Sequence, residues 1–113
     1  VGLLRERGVA RVLVEAPGAR PWGDLTAPFV YARLKAITVA AAEGYDPAAL
    51  EAWRARLTCW AAGRAASDLP CLAPDPGPDV ARPCHAHVIA GDKVRAPDAA
   101  RALLRRLPER PAP

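Results

Sequence analysis

Apolar residues along this chain come in short runs separated by turn-forming clusters, and the runs change period as the chain proceeds. Leu3-Leu4-Arg5-Glu6-Arg7-Gly8 has the features of a helix end, with cations in the last turn and a glycine for the left-handed position beyond it. Val9 to Glu15 is a β-branched run bounded by Gly8 and by Ala16-Pro17-Gly18, as in a buried parallel strand that ends at a carboxylate. After the turn-rich stretch 17–28, Phe29 to Leu34 reads as a second strand closing on Arg33 and Lys35.

Asp46-Pro47 predicts a helix start, the aspartate as cap and the proline at the first position, where no amide donor is needed. Leu50, Trp53, Leu57 and Trp60 recur at steps of three and four, which places both tryptophans in a core-facing stripe, and Gly63 ends the helix. Prolines at 70, 74, 76, 78 and 83 exclude a central strand or helix interior over 64–83, which is expected to be a disordered loop. Cys84 to Ala90 predicts a third strand, followed by Gly91-Asp92. Pro97 opens a last helix with Ala100, Leu103, Leu104 and Leu107 as its apolar stripe, and the tail 109–113 is expected to be loose. Buried-type strands alternating with helices indicate an α/β chain of about three parallel strands and two to three helices.

Composition narrows the picture. The chain has 113 residues, 51% hydrophobic and 25% charged, with 13 prolines and 8 glycines, enough for one domain with a thin core. A formal charge of +4 permits weak contact with acidic surfaces, but no basic motif makes a nucleic acid the expected partner. No apolar run approaches the roughly 20 residues that span a bilayer, so no membrane partner is expected. Three cysteines without framework spacing, Cys59, Cys71 and Cys84, favour reduced thiols and a cytoplasmic protein. With no methionine and a start inside a helix turn, the chain is expected to be a fragment.

The order of segments is similar to the carboxy-terminal part of the domain of unknown function 72 family, the YecE-like TIM barrels. The resemblance runs from about Leu3 to Leu107. It rests on Leu25-Thr26-Ala27-Pro28-Phe29-Val30-Tyr31-Ala32-Arg33-Leu34-Lys35-Ala36, on Gly44-Tyr45-Asp46 with Leu50-Glu51-Ala52-Trp53, and on Ala90-Gly91-Asp92 with Ala96-Pro97. It implies that residues 1–113 form a single C-terminal fragment, a partial β/α barrel. The chain departs from the family pattern at three places. Glu15 stands for an aspartate, Lys35-Ala36 for His-Gly, and Ile89-Ala90-Gly91 for Phe-Asn-Asn, so an activity that needs that histidine or those asparagines is expected to be lost.

In a β/α barrel the functional groups sit at the carboxy-terminal ends of the strands. Glu15, Arg33, Lys35 and Asp92 occupy those ends and are the candidate ligand-binding residues. Two carboxylates with a cation suit proton transfer, the holding of a sugar or phosphate, or the binding of a divalent metal through oxygen. The plain alternative is a solvated cluster of ion pairs at the loop entrances. His85 and His87 share a strand face with Cys84 on the other, and paired metal-ligand spacing is absent, so neither a metal nor another cofactor is expected. Two functions follow as expectations. One is an enzyme-derived binder of a small anionic or sugar-like ligand. The other is a non-catalytic interaction module, in which open sheet edges pair with another copy or with the missing barrel half, or else a degenerate fragment without independent activity.

Overall fold

The computed structural model describes residues 2–16, 21–36, 41–73, 80–89 and 95–107. Among them the order is α1 (Gly2–Arg7), β1 (Leu13–Glu15), β2 (Val30–Leu34), α2 (Pro47–Ala61), β3 (Cys84–Val88) and α3 (Ala96–Arg106). The strands form one open, all-parallel sheet in the order β1-β2-β3, as the run of buried-type strands implied. Gly8 ends α1 at φ 65°, where the amide of Val9 reaches back to the Leu4 carbonyl at 2.9 Å.

The first strand is shorter than the β-branched run from Val9. The Thr26 hydroxyl accepts from the Arg11 amide and donates to the Val9 carbonyl, both at 2.7 Å. One side chain thus does for residues 9–11 what a ladder does for the rest. The third strand stops at Val88, although the Ile89 amide still donates to the Leu34 carbonyl at 3.0 Å; Ala90 lies outside the described residues.

Alternation along β2 turns Val30, Ala32 and Leu34 toward the helices, where they are buried, and leaves Tyr31 and Arg33 on the other face. Against the buried face lies α2. Its cap, Asp46, accepts from the Ala49 amide at 2.8 Å, and Leu50, Trp53, Leu57 and Trp60 are buried at the expected spacing. The two indoles meet edge to face at 6.4 Å, which fills with two rings a core otherwise short of large side chains. Arg56 is buried beside them, its guanidinium 4.7 Å over the Trp53 ring and donating to Asp68 at 2.8 and 3.0 Å.

On α3 the apolar stripe is rotated from the expected one. Ala99, Ala102 and Leu103 are buried, Ala100 is half-buried, and Leu104 stands in solvent. The alanine positions let this helix pack close to α2 and β3, and that close approach fixes the facing side better than leucine size does.

Residues 64–73 and 80–83 of the Pro-rich stretch are described, and they contain neither helix nor strand. They are nevertheless packed. Ala66 and Leu69 are buried, the Gly23 amide donates to the Pro70 carbonyl at 2.7 Å, and buried Arg82 donates from Nε to the Ala27 carbonyl at 3.1 Å. The disorder expected from proline content does not extend to these flanks; residues 74–79 lie outside the described residues, as do 109–113.

Asp24 clamps this stretch, accepting from the amides of Leu72 at 2.7 Å and Ala73 at 2.9 Å while fully buried. Burial works to raise its pKa, and the two amides, with Arg11 nearby, outweigh burial and hold it below the usual value. A depressed carboxyl stabilises the fold above the unfolded-state pKa of about 3.9 and stops doing so as pH falls through the folded value. Asp24→Asn is therefore expected to cost about 1–3 kcal/mol near pH 7. It should also flatten the loss of thermal stability below about pH 4 relative to the wild type, read from melting temperatures across that range. Gly63, at φ 87°, would place an added Cβ 3.0 Å from the backbone of Val80 and Ala81. Gly63→Ala should lower stability by about 1–2 kcal/mol in urea titrations, with Gly2→Ala, in open space, as the near-neutral control.

Candidate functional site

The carboxy-terminal ends of β1 and β2 place Glu15 and Arg33 within one register step, on opposite sides of the sheet. Glu15 is aligned with Leu34 and faces the helices, whereas Arg33 is aligned with Val14 and His87 and faces away from them. Alternation separates two groups that sequence order alone brings to one rim.

Glu15 is buried and fully engaged. One oxygen accepts from the Tyr45 hydroxyl and, at 3.1 Å, from the Ala36 amide; the other accepts from the Trp53 indole at 2.7 Å. Burial raises the Tyr45 phenol well above its ordinary pKa, and the hydrogen bond to Glu15 and the charge of that carboxylate add to the shift. Tyr45 therefore stays a donor. Three donors converging on one buried carboxylate make Glu15 the tie between the end of β1, the chain after β2 and the middle of α2.

The Arg33 side chain is half-buried and, unlike that of Glu15, makes no hydrogen bond or ion pair among the described residues. Around it on the same face lie rings. Tyr31 stacks on His87 with centroids 4.7 Å apart and planes at 28°, and Phe29 meets His85 edge-on at 6.2 Å. His85 and His87 are exposed, and Lys35 is exposed one residue beyond the end of β2. Asp92 lies outside the described residues.

Spacing in the sequence was enough to put both histidines on one face and Cys84 on the other. Cys84 is turned toward α2, its thiol near the Leu57 and Arg82 carbonyls, and burial pushes its pKa up to about 11 against the opposing charge of Arg82. No group of three or more metal-ligating side chains gathers among the described residues. All three cysteines are unpaired. Sequence reasoning did not foresee the Tyr31–His87 stack, nor that Tyr45 and Trp53 hold Glu15. Trp53 was legible as a core residue, and nothing in helical periodicity reports where an indole N–H points.

A separate cavity of about 400 Å³ lies at the amino-terminal ends of the strands, between Leu25, Ala27, Pro28, Val80 and the side chains of Arg5 and Arg82. In parallel α/β folds that end carries stability rather than chemistry.

Parallel strands under a one-sided helical layer, with polar groups at their carboxy-terminal ends, define a mixed α/β protein of the parallel-sheet class. The family model described as protein of unknown function DUF72 matches residues 1–112, and the chain belongs to that family. No curated protein and no solved structure matches it. No helix among the described residues is long and apolar enough to cross a membrane.

The carboxylate tie has a measurable weight. Glu15→Gln sets an amide donor against the indole or the phenol and is expected to cost about 1–3 kcal/mol in urea unfolding, with Glu15→Ala worse. A double-mutant cycle with Trp53→Phe should return a coupling of about 1 kcal/mol or more. Stability unchanged in Glu15→Gln would mean that the carboxylate holds nothing.

Proposed function

We propose that this DUF72 chain belongs to a YecE-like β/α barrel architecture that binds a small anionic ligand on the sheet face turned away from the helices, at the carboxy-terminal ends of the strands. Arg33 is the anchor, with Lys35 adding charge at the strand end and His87 beside it as a further polar partner. Glu15 serves this site from the far side by fixing the end of β1 and the chain after β2. The observation that carries the reading is Arg33 itself, half-buried on the sheet and without a partner among the described residues.

A guanidinium in that state suits a carboxylate or phosphate group, which it can grip through two parallel N–H donors. The stacked Tyr31 and His87 rings offer a flat, amphipathic wall for the body of such a ligand, a sugar phosphate for example. With Lys35-Ala36 where the family carries His-Gly, the site is read as one that binds rather than one that uses that histidine as acid or base. The three unpaired cysteines support the cytoplasmic location expected for such a protein.

The reading is tested by titrating the purified chain with inorganic phosphate, citrate and a hexose phosphate, following amide chemical shifts. At least one is expected to move residues near Arg33. Arg33→Ala should weaken that binding tenfold or more, and Arg33→Lys should restore part of it. No binding by the wild type, or equal binding by Arg33→Ala, would overturn the reading.

A further inference from the structure

Arg33 and His87 are register partners across the β2–β3 ladder, on the sheet face turned away from the helices. Neighbouring strands run about 4.8 Å apart, so the guanidinium and the imidazole leave the sheet side by side. The ladder that aligns them is internal to the chain, and further strands on either side of the sheet would leave the pair as it is. In a β/α barrel this face lines the interior, and the last residues of the strands lie at its functional end.

The imidazole is already held in one plane. Its ring stacks on Tyr31 with centroids 4.7 Å apart and planes at 28°, and its nitrogens make no hydrogen bond among the described residues. Stacking occupies a face of the ring, whereas the nitrogens donate and accept in its plane, so the ring is fixed with its polar edge unused. Histidine is also the side chain whose ordinary charge change falls between pH 5 and 8. A proton on His87 sets a second cation beside Arg33, which is costly while nothing lies between them. A bound anion makes the same juxtaposition favourable.

The other groups around the imidazole are few among the described residues. Tyr31 presents its ring, Lys35 lies two residues beyond Arg33, and His85 lies two residues back on β3, about 6.6 Å along the strand and against Phe29. On β1 the partner of Arg33 is Val14, and Glu15 faces the helices. From α3, the residues that share a groove with His87 are Ala96, Pro97 and Ala100, and Asp98 is engaged with Arg95 and Arg101. None of the described carboxylates pairs with His87, so the negative charge that would complete the site has to come from a ligand.

We propose that His87 is the second anchor of the anion site described above, on which this inference rests, and that it takes up a proton from solvent as the anion binds. Arg33 supplies a permanent charge and His87 a conditional one. The ligand class this selects is a tetrahedral oxyanion carrying two negative charges, a phosphate or sulfate group, which meets both cations; a lone carboxylate is satisfied by one guanidinium. Because proton and anion favour the same state, affinity for such an anion rises as pH falls.

The test uses inorganic sulfate, which keeps both charges across the range, so that any pH dependence belongs to the protein. Its affinity for the full chain is read from amide chemical shifts between pH 5.5 and 8.5 at constant ionic strength, for the wild type, His87→Gln and His85→Gln. The wild type should bind about tenfold more tightly at the acid end, and His85→Gln should do the same. His87→Gln, which keeps an N–H donor but takes no proton, should hold the alkaline affinity of the wild type throughout; His87→Asn is read in its place where circular dichroism shows that variant unfolded. Calorimetry of the wild type near pH 7, in buffers of different ionisation heat, should count a fraction of a proton taken up with each sulfate. Formate, singly charged over the same range, should bind more weakly. A flat wild-type profile, a rise that survives in His87→Gln, no proton uptake, or formate bound as tightly as sulfate at the acid end would each overturn the proposal. Sulfate that fails to bind where phosphate, citrate or the hexose phosphate binds would overturn it alone, whereas failure of all four removes the anion site as well.

Discussion

A single carboxylate, Glu15, sits where three parts of the fold must agree. Its two oxygens take the Ala36 amide, the Tyr45 hydroxyl and the Trp53 indole, so the end of β1, the exit from β2, the approach to α2 and the centre of α2 share one atom group. A buried carboxylate is tolerable only when its lone pairs are used, and these are. With only a three-residue β1 to hold the first strand against β2, this polar tie supplies orientation that the ladder alone is too short to give. The position of α2 over the sheet, and through it that of α3, follows from this arrangement.

The two faces of the sheet consequently have different characters. On the helix side, Leu13, Val30, Ala32 and Leu34 meet two tryptophans and a set of alanines, a thin but closed core. On the other side, the positions that would hold branched aliphatic residues in a dry interior carry Tyr31, Arg33, His85 and His87. Side chains of that kind suit a wet surface, whereas Glu15, on the helix side, works as architecture.

Much of this was legible beforehand, and the limits have physical causes. Capping chemistry marked α2 to within a residue, because Asp46 and Pro47 are local signals whose meaning does not depend on distant partners. Period-two spacing correctly divided His85 and His87 from Cys84. For Glu15 and Arg33, chain order reports which strand end each occupies, and only register reports that they face opposite sides of the sheet. The stripe on α3 held at Leu103 and Leu107 and failed at Leu104, because leucine was weighted over Ala99 and Ala102, whereas a helix that must come close to its neighbours is governed by its small residues. Proline density in 64–83 agrees with the lack of helix and strand in its described parts, 64–73 and 80–83, but it said nothing about Asp24 and Arg82, which recruit those parts by hydrogen bonds to their backbone and neighbours.

The longest ladder joins strands that are far apart along the chain: β2 and β3 pair over five residues, yet Val30 and its partner Cys84 are separated by more than fifty positions. Closing so large a loop has an entropic cost that no local contact repays, so the time order of folding is biased toward α2 and its cap forming first and β3 arriving late. Until β3 arrives, β2 has a bare side with the same geometry as the one β3 carries in the finished fold. A newly made chain therefore passes through an interval in which it is most prone to capture the wrong strand.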